Sequence, residues 1–488
     1  MKLLLRGHAD RYALEQLQLS LFPDAPMEYT GEPFSGDGTV SSLSAGKTWL
    51  TASASITLDG KTARASRRIR REEETVRLRR RILQQSYYLA ALQLLPEAPP
   101  WGALAGVRPT KLTTKVLLSG GTAAECDALL RDVYFVVPSR RRLCVDASEA
   151  TAAAVALLGP TDLSLYIGIP FCPTRCAYCS FVSQGIERQR GLLEPFLGAL
   201  EREIALTGEL LAASPYRLRT VYVGGGTPTT LSAAQMGRLM DAVAAHFDLS
   251  RVIEYTVEGG RPDTLDPEKL ALIRGKGAGR MSINPQSMCD EVLRTVGRRH
   301  TAADTVRAFR QAREAGFESI NMDLIAGLPG DTPEGFAESL RECIGLGPSN
   351  LTVHTLALKR GSALHEFRRP LPPAEDVAAM LGSGETALRG AGYTPYYLYR
   401  QKYMSGSFEN VGWQRGNDPG LYNIYMMEEV YTILSVGGGG MSKVILPGGK
   451  LWRQHNPKFP REYLDRLDET LSGRRELFLI LNELEVKP

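Results

Sequence analysis

The sequence has no apolar run near the roughly 18 residues that a membrane-crossing helix needs. Its opening stretch, MKLLLRGHADRY, ends a very short apolar patch at Arg6. A secretory signal would need about 7–15 apolar residues and a small-residue cleavage site, so the chain is expected to stay in the cytoplasm with no membrane span. Cysteine is scarce: seven in 488 residues, an odd number, which argues against a disulfide framework. Net charge is small as well, 58 Lys and Arg against 54 Asp and Glu, and compels no nucleic-acid partner. No internal period signals a repeat architecture. What is present, 43% hydrophobic and 23% charged residues, is the composition of a globular protein. Its length exceeds one ordinary core, so two or three domains are expected.

Residues 39–69, which begin TVSSLSAGKTWLTASASITLDGKTARA, carry Asp59-Gly60 as a turn signal and predict a hairpin or small sheet. Residues 70–95 have helical periodicity through Ile82, Leu83, Tyr87, Leu89 and Leu92. Across this junction, ASRRIRREEETVRLRRRIL (65–83) crowds arginines around Glu72, Glu73 and Glu74. It reads as a solvated helix laced by ion pairs, with an anion-binding face for RNA phosphates or small carboxylates as the alternative. WGALAGVRPTKL (101–112) breaks the helix, and more helix is expected to follow.

From residue 163 apolar, β-branched runs alternate with amphipathic stretches: LSLYIGIP, TVYVGGG, VIEYTVEGG, RMSINPQS, SINMDLIAGLP and NLTVHTLAL, with helices predicted at 187–213, 232–247 and 302–315. Such strands between helices predict a parallel sheet covered by helices, an α/β fold built as a partial (β/α)6 barrel. The expected organisation is an α+β N-terminal domain over 1–160, the barrel over 161–391, and a small C-terminal domain or lid over 392–488, the most aromatic part of the chain. In a barrel of this kind the chemistry lies at the C-terminal strand ends.

The first barrel strand runs into FCPTRCAYCSF, with Cys172, Cys176 and Cys179 spaced C-x3-C-x2-C. A structural zinc site wants four ligands, usually as two pairs, and no second pair is present. A thioredoxin-type C-x-x-C leaves Cys172 unexplained. Three thiolates can hold three irons of a [4Fe-4S] cluster and leave the fourth iron free to bind a ligand. Cys126, Cys144, Cys289 and Cys343 share no spacing and read as ordinary buried thiols.

This spacing, with Tyr178 before the last cysteine, resembles the signature of the radical S-adenosylmethionine (SAM) enzymes. VGGGTPTTLS, RMSINPQS, VGRRH and NMDLIAGLPGD are similar to the SAM-binding segments of one family, the oxygen-independent coproporphyrinogen III dehydrogenases with their HemN and HemW (heme-chaperone) relatives. WGALAGVRPTKL, TVEGGRPDTL, TVHTLALKRGS and LYRQKYM look most like its HemZ branch. The resemblance implies a [4Fe-4S] cluster on Cys172, Cys176 and Cys179 and one or two molecules of SAM. It implies SAM contacts from Tyr166, Gly225, Gly226, Thr227, Glu258, Gln286, Arg298 and Asp323, with Tyr178 near the adenine and Tyr166 at the reaction centre. Reductive cleavage of SAM to a 5′-deoxyadenosyl radical would then drive oxidative decarboxylation of coproporphyrinogen III propionates to the vinyl groups of protoporphyrinogen IX. A donor such as flavodoxin or ferredoxin would supply the electron. Lys359, Arg360, Arg400 and Lys402 are candidate propionate partners.

Two positions depart from the family's dehydrogenases. Gly168 stands where they carry a histidine, and Phe181, where they carry a further cysteine, is what the heme-chaperone relatives show. A heme-binding chaperone, with His354 or His365 as a candidate axial ligand, is therefore a second reading. An RNA-modifying radical SAM enzyme gripping its substrate through the 65–83 arginines is a third, disfavoured because no RNA-binding module is recognisable.

Overall fold

A computed structural model describes the chain except for residues 23, 24, 26, 181–183, 360, 368, 369, 402–407 and 485–488. Two compact units divide it, Met1–Asp146 and Ala147–Pro488. Among the described residues no helix is long and apolar enough to cross a membrane.

The first unit holds β1 (Lys2–Arg6), β2 (Glu28–Thr30), β3 (Gly38–Ala45), β4 (Trp49–Leu58) and β5 (Lys61–Arg70). Among the described residues they form one sheet in the order β2-β1-β3-β4-β5. Half-buried and buried residues alternate along β4 from Trp49 to Ile56, so one face of the sheet is core and the other is not. The core face packs Leu3, Ala54 and Ile56 against Leu14 and Leu17 of the helix Arg11–Leu21 and Tyr87 and Tyr88 of the helix Val76–Ala91. The structure corrects the arginine-rich segment. Arg67, Arg68 and Arg70 lie on β5, Arg71–Glu73 make one 3-10 turn, and helix starts only at Val76, where the Thr75 hydroxyl accepts from Leu78 N–H. The period-two spacing of Ala63, Ala65 and Ile69 satisfies the sheet, and a helix here would have split those apolar residues from the core.

The second unit opens with β6 (Asp162–Ile169), the short pair β7 (Phe171–Cys172) and β8 (Gln184–Gly185), then β9 (Arg217–Gly225), β10 (Glu254–Glu258), β11 (Arg280–Ser282), β12 (Ser319–Ala326) and β13 (Asn350–Thr355). β6, β9, β10, β11, β12 and β13 run parallel in that order. Helices Ile186–Ala212, Ala233–His246, Pro267–Gly275, Ala302–Glu314 and Pro333–Leu346 make the crossovers, as the sequence predicts. The Ser232/Gln235 and Thr301/Asp304 capping boxes fix two of their starts. β14 (Tyr393–Arg400), β15 (Glu409–Arg415), β16 (Thr432–Gly437), β17 (Met441–Leu446) and β18 (Lys450–His455) follow. The described strands form an 11-stranded sheet, β14-β15-β13-β12-β11-β10-β9-β6-β16-β17-β18, an open partial barrel. The C-terminal strands therefore extend both edges of the barrel sheet: β15 pairs antiparallel with β13, and β16 pairs parallel with β6.

Two features seat the β16 end. A Cβ on Gly168 would lie 2.6 Å from the Gly438 carbonyl oxygen, and one on Gly438 would lie 2.6 Å from the Pro170 ring. Glu203 and Arg474 are fully buried and 2.7 Å apart. Glu203 also accepts from Gly437 N–H (2.8 Å), the Tyr463 hydroxyl (2.6 Å) and Asn456 Nδ2 (2.8 Å). One carboxylate thus ties three segments to the turn that presses on the root of the cysteine loop.

Candidate active site

Residues on a strand alternate between its faces, and here the alternation is chemical. Tyr222, Thr256, Ser282, Asn321, Thr352 and His354 interleave with Val221, Val223, Val257, Met281, Met322, Leu351 and Val353. The apolar set is buried. Tyr222, Ser282, Asn321, Thr352 and His354 line a cavity of about 380 Å³, within the size range of cofactor pockets.

The cysteine loop forms one wall. Ala177 N–H donates to Val296 O (2.9 Å), Leu364 N–H to Ala177 O (3.0 Å), and Arg261 Nη1 to Thr174 Oγ1 (2.5 Å), so the segments that follow β11, β13 and β10 each hold it. Arg261 is itself clamped bidentately on Asp263 at 2.9 and 2.6 Å. Cys172 and Cys176 are buried and Cys179 is half-buried. Among the described residues no three His, Cys, Asp or Glu side chains converge as around a single metal ion. Thiolates that each bind a separate iron of a cluster have no need to converge.

The glycine turn after β9 forms the adjoining wall. Gly226 N–H donates to Ile169 O (2.8 Å) and Thr227 N–H to Phe171 O (2.7 Å). A Cβ on Gly226 would lie 2.5 Å from Phe171 O and 2.9 Å from Cys172 Sγ, and Gly225 has φ +121°. Only glycine permits this approach and this dihedral. Thr227 Oγ1 donates to Cys172 Sγ at 3.3 Å.

Opposite stand the ionisable groups. Arg298 donates to Asn284 O (2.6 Å) and to the Tyr178 hydroxyl (3.1 Å). Burial opposes its charge, but Tyr178 and Cys176 outweigh that and raise its pKa. The Glu258 carboxyl opens on the cavity and is enclosed elsewhere; burial, then the Asp323 charge, push its pKa up to about 8. Burial would raise Asp323 too, but His354, Asn321 and Thr352 outweigh it and hold Asp323 below the usual carboxylate range. The His354 Nε2 lies 3.7 Å from Asp323 Oδ2 and Asn321 Nδ2 donates to Oδ1 at 2.7 Å. The two carboxyls are thus shifted apart, Glu258 upward and Asp323 downward. Gln286 has φ +71°, rare outside glycine, and its backbone bridges β12 through Asp323 O and Ile325 N–H.

Cys172, Cys176, Cys179, Tyr166, Tyr178, Gly225, Gly226, Thr227, Glu258, Gln286, Arg298 and Asp323 all line this one cavity, and so does Lys359. Arg400 does not: Tyr397, Tyr399 and Gln401 face the cavity, while Arg400 is buried beside Glu409. His365 is exposed and lies outside the lining, and His354 is engaged by Asp323. Phe181, Arg360 and Lys402 lie outside the described residues. Cys289 is half-buried; Cys126, Cys144 and Cys343 are buried as expected. The sequence reading missed the ring stack Tyr166–Tyr222–Tyr422, with centroids 6.1, 6.0 and 4.6 Å apart, along with Asn284, Asn321 and Asn410. For the strand residues the signal was the polar alternation within runs read as continuously apolar.

Residues 166–343 match the family model for the radical SAM superfamily. The chain is 41% identical over 388 residues to the oxygen-independent coproporphyrinogen-III oxidase-like protein HemZ of Bacillus subtilis, covering 78% of this chain and 77% of that protein. It is 36% identical to the heme chaperone HemW of the same organism, over 44% of this chain and 57% of the relative. Among solved structures, coproporphyrinogen III oxidase (HemN) from Escherichia coli matches with a TM-score of 0.52 and 27% identity, over 66% of this chain and 73% of that one. The thiol loop, the glycine turn pressed against it and the partial barrel that carries both are accounted for together: the chain is a radical SAM protein, with a [4Fe-4S] cluster and SAM as its cofactors, and belongs to the coproporphyrinogen III oxidase-like family that includes HemZ.

Proposed function

We propose that the chain catalyses the oxygen-independent oxidative decarboxylation of coproporphyrinogen III propionates to vinyl groups. The observation that carries this reading is the single cavity shared by the cysteine loop, the glycine turn and a second wall of Tyr397, Tyr399, Gln401 and Lys359, which leaves substrate-facing groups beyond those needed for the cofactors. Cluster and SAM together supply one-electron cleavage of a sulfonium and, from it, abstraction of a hydrogen atom. Cys172, Cys176 and Cys179 hold three irons in this reading. The Gly225–Thr227 edge and Glu258 receive the SAM ammonium, Arg298 pairs with its carboxylate, Asp323 accepts from the ribose hydroxyls, and Gln286 and Tyr178 border the adenosine. Tyr166 packs at the reacting end, and Val296, Leu356 and Leu364, packed around Tyr178, keep water from it. Lys359, which lines the cavity and whose pKa burial lowers, is the candidate partner for a propionate. The reaction would run in the cytoplasm with a donor such as flavodoxin or ferredoxin.

Anaerobic incubation with SAM, a reductant and coproporphyrinogen III should release CO2 and yield protoporphyrinogen IX by mass spectrometry. Cleavage of SAM without any decarboxylated product would reject the reading. One observation favours a heme chaperone instead: Gly168 is closed by the Gly438 carbonyl, so no side chain can take the place of the dehydrogenases' histidine. Stoichiometric heme binding and transfer without turnover would establish that alternative.

A further inference from the structure

The open face of the N-terminal sheet is one feature that neither cofactor nor tetrapyrrole uses. Register places Trp49, Thr51, Ser53 and Ser55 of β4 on it, with Arg64, Arg68 and Arg70 of β5 alongside. The three arginines are exposed, and Trp49 is half-buried beneath two of them, its ring centroid 4.4 Å from the Arg68 guanidinium and 5.4 Å from that of Arg70. Across β3, whose Ser42 and Ser44 continue the hydroxyl floor, Lys2 and Arg6 of β1 are exposed on the same side. Glu28 and Glu72 sit only at the margins, Glu72 at 4.0 Å from Arg70.

We infer that this face binds single-stranded RNA. Its chemistry is cationic flanks, a floor of hydroxyl donors and guanidinium planes laid over one aromatic ring, a combination that grips a sugar–phosphate backbone and stacks a base. Alternate residues on a strand stand about 6.8 Å apart, so Arg68 and Arg70 can engage successive phosphates, and the Ser and Thr hydroxyls can reach ribose 2′-OH groups. An acidic protein partner would want an apolar anchor in the middle of the patch, and a membrane would want insertable apolar side chains. Trp49, the one large apolar side chain on the β4–β5 part of the face, is half-buried under Arg68 and Arg70 at the end of the register, and the rest offers hydroxyls and arginines.

The test is fluorescence anisotropy of the full-length, cluster-reconstituted protein with a fluorescein-labelled single-stranded RNA dodecamer, between about 50 and 200 mM salt. Binding is expected to weaken at least tenfold in an Arg64→Gln/Arg68→Gln/Arg70→Gln variant. Its log–log salt dependence should flatten by about 2, the share of three phosphate contacts at about 0.7 each. Glu72→Gln should tighten binding, and SAM cleavage should be unchanged in both variants. RNA affinity equal in wild type and triple variant, or no RNA binding at the lowest salt, overturns the inference. So does tighter, equally arginine-dependent binding of polyglutamate or of phosphatidylserine vesicles.

Discussion

Glu258 is the residue whose surroundings make the sharpest prediction. Its native pKa of about 8 lies well above the roughly 4.3 of an unfolded glutamate. Between those values the native carboxyl keeps a proton that the unfolded chain has lost, so this group makes stability fall as pH rises. Glu258→Gln keeps the shape and removes the titration. In denaturant melts without SAM, its stability relative to wild type should grow from pH 5 to pH 8, by up to about tenfold in the unfolding equilibrium per pH unit. A difference independent of pH would show that the native carboxyl titrates normally.

At the level of strands and turns, the contact between Gly168 of β6 and the Gly437–Gly438 turn governs the root of the cysteine loop. Gly168→Ala drives a methyl toward the Gly438 carbonyl and must part β6 from β16. A loss of about 1–3 kcal/mol is expected, the usual range for overpacking, read from the denaturant midpoint. An unchanged midpoint would mean the turn is free to retreat. This close approach could not be seen from the sequence, where Gly168 registered only as a missing histidine. The cysteine loop, the glycine turn and the crossover helices were readable because their determinants are local: spacing, caps and 3.6-residue periodicity. The arginine-rich segment misled because charge on both signs suggests a helix, whereas Ala63, Ala65 and Ile69 decide for a strand through contacts made elsewhere in the chain. Tyr222, Tyr422 and Asn410 join the site from strands and a helix far apart in sequence, and no local signal ties Tyr422 to Tyr166.

Across the second unit, the buried Glu203–Arg474 pair anchors the final helix, Leu467–Glu483, to the first crossover helix and to the Gly437 turn. Arg474→Ala would leave Glu203 charged and without its cation in a dry interior, a loss of about 3–5 kcal/mol. Its thermal midpoint should fall by several degrees. Equal melting at pH 7 would mean Tyr463, Asn456 and Gly437 alone satisfy the carboxylate.

The sheet's edges carry a consequence for biosynthesis. Its neighbours on both sides, β15 against β13 and β16 against β6, lie later in the chain than every group proposed to hold iron, and so are synthesised after them. A nascent chain reaching β13 therefore already carries its thiols while β6 has β9 on one side and still lacks β16 on the other.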